Sequence, residues 1–235
     1  MTVHGRVWQP NVKNPQIANW QLKIAMAITG LIMVAFVFVH MLGNLKIFSS
    51  HESINTYSQW LREAFMPLLP YEGLLWIARI VLGACLLIHV VAAFMVWSRS
   101  RSNQGSAKPR HSKGWFAKLM LPTGLVLLVF IVLHLLDLTI GKLVAPEGFR
   151  HPDPEFHAAT NLIASLDRPV MAGFYLFMLL ALAIHFAHGI ELAINDLGTT
   201  SEKGRNVARI IGMIVALLVL VGDAMVVLSA NLGVV

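Results

Sequence analysis

The sequence predicts an all-α integral membrane protein, a single domain over 1–235 with five transmembrane helices and a cytoplasmic N-terminus. Three observations carry this. Of 235 residues, 57% are hydrophobic, and a mean hydropathy of +0.68 is far above that of an ordinary soluble domain. Uncharged runs recur at Ile24–Leu45, Ile80–Ser98, Leu119–Leu136, Val170–Ile190 and Ile210–Gly222, and about twenty apolar residues suffice to cross the hydrocarbon as a helix. The basic residues alternate in density between successive loops.

The first four runs extend to spans of about 22–45, 73–98, 117–140 and 169–193. The fifth is short, but Asp223 interrupts it without ending it, giving a span of about 207–231. Between the first two spans, Ser53–Met66 places Ile54, Tyr57, Trp60, Leu61 and Phe65 at helical spacing. That pattern fits an interfacial helix, ended by Pro67 and Pro70. The loop between spans three and four is rich in Pro and His: Pro146, His151, Pro152, Pro154 and His157. Two loop histidines without further ligands are read as solvated.

With the N-terminus inside, the cytoplasmic segments hold Arg6, Lys13, Lys23, Arg99, Arg101, Lys108, Arg110, Lys113, Lys118, Lys203, Arg205 and Arg209. The outer side holds Lys46, Arg62, Arg79, Lys142, Arg150 and Arg168, and this imbalance sets the orientation. The pI near 9.8 then reflects topology and contact with anionic headgroups or a partner. Basic residues dispersed over short loops do not suit nucleic acid. No signal peptide is read, because the first run is longer than a signal core and no A-x-A-like site follows it. The single cysteine, Cys85, lies within the second span, which excludes disulfides and C-x-x-C-H haem attachment.

His40, His89, His134 and His185 each sit inside a separate span. Histidine in hydrocarbon is costly, and neutral imidazole is a common ligand of metals and of haem iron. His40 lies sixteen residues past Ile24 and His134 fifteen past Leu119, which puts both about 23 Å from the inner edge. His89 is nine residues before Ser98 and His185 eight before Ala193, giving about 12–14 Å. The histidines therefore sort into an outer pair, His40 with His134, and an inner pair, His89 with His185, about 10 Å apart in depth. Two bis-histidine sites in a haem-binding bundle imply two noncovalent b-type haems. The competing reading is hydrogen bonding across helices or a proton path. His188, one turn beyond His185, is the rival ligand or a hydrogen-bond donor to a propionate or quinone.

Arg79 near the outer end of the second span and Lys23 and Lys118 near the inner edge suit haem propionates or, by snorkelling, headgroups. Asp137 and Asp223 suit proton handling or hydrogen bonding near the outer pair, or simply mark the interface. Gly30, Gly43, Gly83, Gly173 and Gly189 permit close helix approach or clear a porphyrin face. No internal repeat is apparent.

Lys23-Ile-Ala-Met-Ala-Ile-Thr-Gly30, followed by His40-Met-Leu-Gly-Asn-Leu45 and Phe48, resembles the opening of the five-helix dihaem cytochrome b subunit of succinate dehydrogenase/fumarate reductase, the cytochrome b558 family. His185-Phe-Ala-His-Gly189 with Asn195-Asp-Leu-Gly198 is similar to that family's fourth-span haem motif, and the likeness runs from about Gln21 to Asn231. It implies the inner haem on His89 and His185 and the outer haem on His40 and His134. It also implies flavoprotein and iron–sulfur partner subunits at the cytoplasmic face, quinone as substrate, and residence in the cytoplasmic (inner) membrane, as one complex or an oligomer of complexes. Glu63, in the outer segment, becomes a candidate quinone-site acid; its alternative is a solvated carboxylate paired with Arg62. A low-potential menaquinone is the expected acceptor. Two other readings remain: a quinone-coupled cytochrome b of a hydrogenase or formate dehydrogenase, and a transporter or channel using histidines for protons.

Overall fold

A computed structural model describes residues 17–104, 115–151 and 156–235, which form seven α-helices and no strand among the described residues. Arg6, Lys13, Lys108, Arg110, Lys113, Pro152 and Pro154 lie outside them. Helix α1 (Asn19–Asn44) runs into a tight turn at Leu45–Phe48. Then come α2 (His51–Glu63), α3 (Gly73–Gln104), α4 (Trp115–Leu135), α5 (Ala158–Leu166), α6 (Pro169–Asp196) and α7 (Glu202–Asn231). Five helical segments, Asn19–Phe48, Gly73–Ser102, Lys118–Ile140, Pro169–Asp196 and Glu202–Asn231, are long and apolar enough to cross a membrane. The chain is an all-α integral membrane protein.

The ends are set by local chemistry. Ser50 Oγ accepts from Ser53 N at 3.0 Å to start α2, and Ser201 Oγ accepts from Gly204 N at 3.1 Å to start α7. Pro169 occupies the first turn of α6, where its missing N–H costs nothing. Beyond α4 the chain widens into a π-turn, Leu136–Ile140, closed by left-handed Gly141 at φ 68°. The interfacial helix stops at Glu63, not Met66, because Ala64 and Phe65 (φ 67°) leave the helical region before either proline is reached.

Large apolar side chains such as Leu87, Leu125, Leu180 and Leu217 are exposed along the spans, as hydrocarbon-facing residues are. The dense packing lies elsewhere. Helix α6 packs most extensively on α7 and also contacts α1 and α4, while α3 leans on α1. On α7 the buried face begins with small residues, Ala208, Gly212 and Ala216, and continues through Val219, Gly222, Val226, Val227 and Ala230. A Cβ on Gly212 would lie 2.6 Å from the Ala187 carbonyl oxygen, so only glycine permits this approach of α6 and α7.

In the order α3, α1, α6, α4 each helix packs on the next, but the diagonal pairs α1/α4 and α3/α6, like the end pair α3/α4, have no packing of comparable extent among the described residues. The short helices α2 and α5 pack together across the outer end, with Asn55 Oδ1 accepting from Ala159 N at 3.0 Å. At the inner end Arg99 Nη1 donates to Ile17 O and Asn19 Oδ1, both at 2.8 Å, and joins α3 to α1.

Candidate functional site: two histidine pairs between diagonal helices

Each pair of span histidines joins two helices that do not pack on each other, α1 with α4 and α3 with α6. His40 on α1 faces His134 on α4 with ring centroids 5.9 Å apart, and His89 on α3 faces His185 on α6 at 6.5 Å. This is the pairing given by depth. None of the four is fully buried: His40 is exposed and the other three are half-buried, so rings in mid-helix border open space. Two imidazoles on one metal, each bond about 2 Å long, put their centroids about 6 Å apart. Both pairs have that spacing.

Ring orientation adds a second test. A histidine that ligates through Nε2 must keep its proton on Nδ1, and a fixed acceptor for that proton selects the tautomer. His89 Nδ1 lies 3.1 Å from the Met26 carbonyl and 3.4 Å from Thr29 Oγ1. His185 Nδ1 lies 3.1 Å from Thr123 Oγ1, with the Met120 carbonyl as its backbone acceptor. Each threonine hydroxyl donates backward along its own helix, Thr29 to Ala25 O and Thr123 to Leu119 O, both at 2.7 Å. The hydroxyl oxygen is therefore left to accept from the imidazole, and a carbonyl can only accept. His89 and His185 are both held with Nδ1 protonated and Nε2 bare.

The two seats are copies. Met26-Ala-Ile-Thr29-Gly30 on α1 corresponds to Met120-Leu-Pro-Thr123-Gly124 on α4, and in each helix the outer-layer histidine follows the glycine by ten residues. A Cβ on Gly30 would lie 3.2 Å from His89 Cε1, and one on Gly124 3.4 Å from His185 Cε1. The order span, short outer helix, span is also shared by α1–α2–α3 and α4–α5–α6. The structure thus shows a tandem repeat that sequence reading passed over, although M-x-x-T-G followed by H was there to be found.

This arrangement corrects the layer spacing. His89 touches α1 at Met26–Gly30, and from Thr29 to His40 is eleven residues, about 16 Å along the helix and not 10 Å. The last charged or polar residues of the spans do not lie at a common depth. Helices α3 and α6 continue to Gln104 and Asp196, well past the assumed edges.

Unlike the inner pair, the outer pair has charged surroundings. Asp137, fully buried, accepts from Tyr175 Oη at 2.9 Å, from Arg168 Nη2 at 2.9 Å and from Ser165 Oγ. Tyr175 Oη is in turn 3.3 Å from His134 Nδ1. Since the tyrosine donates to the carboxylate, its oxygen accepts from His134, which again leaves Nε2 bare. On the other side Asn44, one turn beyond His40, donates to Asp223 Oδ1 at 3.1 Å. Tyr175 and Ser165 carry no signal of their own in the sequence, Asn44 stands there only within the first-span motif, and Arg168 only as an outer charge.

The remaining sequence-predicted residues have partners of their own. Lys23 Nζ pairs with Asp196 at 3.2 Å and ties the inner ends of α1 and α6, while Lys118 is exposed. Arg79 pairs with Glu72 at 3.2 Å and lies over the Trp76 ring. Arg62 also pairs with Glu72, at 3.2 Å, and not with Glu63. Glu63 is exposed and accepts from Gln59 at 3.0 Å. His188 Nδ1 lies 3.6 Å from Glu191, which also holds Arg209. Gly43 admits the Tyr57 ring, Gly189 meets only Met120, and Gly83 and Gly173 have nothing within 4 Å. His151 packs on Phe149. No group of three or more His, Cys, Asp or Glu able to hold a bare metal ion exists among the described residues.

Residues 110–222 match the family model described as succinate dehydrogenase/fumarate reductase transmembrane subunit. The succinate dehydrogenase cytochrome b558 subunit of Bacillus subtilis (strain 168) is 25% identical over 155 residues, covering 66% of this chain and 68% of that protein. No solved structure matches the chain.

Proposed function

We propose that the chain is a membrane subunit of the succinate dehydrogenase/fumarate reductase type, a reading supported by the family match over residues 110–222 and by the likeness to the cytochrome b558 subunit. As a membrane subunit of that kind it is part of an oxidoreductase complex with flavoprotein and iron–sulfur partners. The finer reading is a cytochrome b subunit with two b haems. His89 and His185 hold the inner one, His40 and His134 the outer one, and the subunit links its iron–sulfur partner to a quinone, with menaquinone as the proposed acceptor. The observation that supports it best is the spacing of both pairs, 5.9 and 6.5 Å, across helices that do not otherwise pack.

The donor set fits the group. When bound, haem supplies a one-electron carrier at each layer. The chain's part is to present the histidine rings from opposite sides, to hold the Nδ1 protons of His89, His185 and His134 on oxygen, and to surround the rings with apolar helix. The partner subunits are proposed to dock on the inner, cytoplasmic face, near Arg99, Arg101 and Lys203, with the complex in the cytoplasmic membrane. Glu63 remains a proposed quinone-side acid at the outer end; its exposure would let it exchange protons with water.

The test is a pyridine haemochrome assay on the purified chain, with identification of the subunits that accompany it. Two haems per chain together with a flavoprotein and an iron–sulfur protein are expected. No haem would overturn the cytochrome reading.

A further inference from the structure

The chain Arg168–Asp137–Tyr175–His134 crosses from the outer surface to one ring of the outer pair and has no counterpart at the inner pair among the described residues. Asp137 is wholly buried, yet it accepts three side-chain donors, which is how a carboxylate stays charged in an apolar interior. Arg168 reaches it from a partly exposed position and is itself fixed by donating to Val144 O at 2.7 Å. The tyrosine ring is locked as well: it stands edge-on to Phe130 at 5.5 Å, to Phe174 at 5.9 Å and to His134 at 6.0 Å. Its hydroxyl therefore has one direction in which to donate, toward Asp137, and one from which to accept, from His134 Nδ1.

We propose that Tyr175 is a positioning residue that makes the outer site harder to reduce, by carrying the negative charge of Asp137 to the Nδ1 proton of His134. The inference rests on the haem reading given above. Hydrogen bonds in series polarise one another in a low-dielectric interior. A proton drawn toward oxygen on Nδ1 leaves Nε2 richer in electrons and raises the basicity of the ligand. A more basic imidazole favours the ferric over the ferrous iron, because the ferric state carries one more positive charge. The neutral threonine and carbonyl acceptors at His89 and His185 exert a weaker pull of the same kind. Second-sphere hydrogen bonding is one of the levers by which a protein sets such a potential.

The experiment is a potentiometric titration of the haem bands in the assembled, detergent-solubilised complex. The outer step is identified as the one lost in His134→Ala. Tyr175→Phe keeps the ring and its packing and removes only the hydroxyl. It should leave two haems per chain, shift the outer step to higher potential and leave the inner step in place. Asp137→Asn, which keeps an acceptor and removes the charge, should move the same step in the same direction. Two haems with both steps at their wild-type positions in both variants would overturn the inference while leaving the haem reading intact. An equal shift of both steps would overturn it too, since the effect would not be local to His134. Should Tyr175→Phe lose the outer haem, Asp137→Asn decides alone, and loss of that haem in both variants would mean that the hydroxyl secures the ligand and does not tune it. No haem in the wild-type complex would instead overturn the reading on which the inference stands.

Discussion

At the inner layer the two histidines have the same neighbours: a methionine carbonyl, a threonine hydroxyl and a glycine, supplied once by α1 and once by α4. At the outer layer the same two helices supply the histidines themselves, and their surroundings diverge. Three residues past His134 comes Asp137; three past His40 comes Gly43, where the missing side chain admits the Tyr57 ring of α2. Ten residues before His185 stands Tyr175; ten before His89 stands Arg79, which turns to Glu72 at the outer surface. A repeat kept at one end and broken at the other gives two sites with the same ligands and unequal electrostatics. On the proposed haem reading, a difference in potential between the two sites would originate outside the four histidines.

The largest effect should come from removing ligands. His40→Ala or His134→Ala is expected to lower the haem content from two per chain to one and to spare the inner site; His89→Ala or His185→Ala should spare the outer one. A haemochrome count with assignment of the surviving step checks this. Loss of both haems from every variant would mean that the layers form one cooperative unit, and the comparison between them would then have no independent halves.

A smaller effect tests the sameness of the inner seats. Thr29→Val and Thr123→Val keep the shape and remove one of two acceptors for each Nδ1 proton, a loss of about 1 kcal/mol per hydrogen bond. Each should raise the inner step by a similar amount, the double variant by about twice that, and neither should move the outer step. Unequal shifts, read in the same potentiometric titration, would show that the two seats are alike in sequence only.

How much of this was legible beforehand depended on whether the signal lay within one helix or between helices. The five spans were visible because a run of apolar residues is a local property of the chain. His40, His89, His134 and His185 stood out because histidine is rare in hydrocarbon. The seats were half legible: Met26-x-x-Thr29-Gly30 and Met120-x-x-Thr123-Gly124 are plain in the sequence, but only the fold shows that they receive His89 and His185. The Asp137 network was hidden, because Asp137, Ser165, Arg168 and Tyr175 are brought together by the return of the chain through α5. The distance between the layers was misjudged because the ends of charge-free runs are not at a common height.

The smallest expected effect separates the two seats by a fraction of an ångström. Replacing a mid-helix glycine by alanine gains roughly 0.5–1 kcal/mol of backbone entropy wherever the methyl group fits. At Gly124 the added carbon would meet His185 Cε1 at 3.4 Å, an ordinary contact, so Gly124→Ala should be neutral or slightly stabilising. At Gly30 the same carbon would meet His89 Cε1 at 3.2 Å, so the imidazole must tilt. A tilt of about 30° away from a rotamer minimum costs on the order of 0.5–1.5 kcal/mol, although a few tenths of an ångström need less than that. The His89 ring is also tethered by the Met26 carbonyl and Thr29 and cannot move freely. Gly30→Ala should therefore show no gain in the temperature at which the haem bands are lost, and should move the inner step, while Gly124→Ala keeps that step in place. Identical behaviour of the two variants would mean that the seats are equivalent to finer tolerance than these distances indicate, and that the asymmetry of the bundle is confined to its outer end.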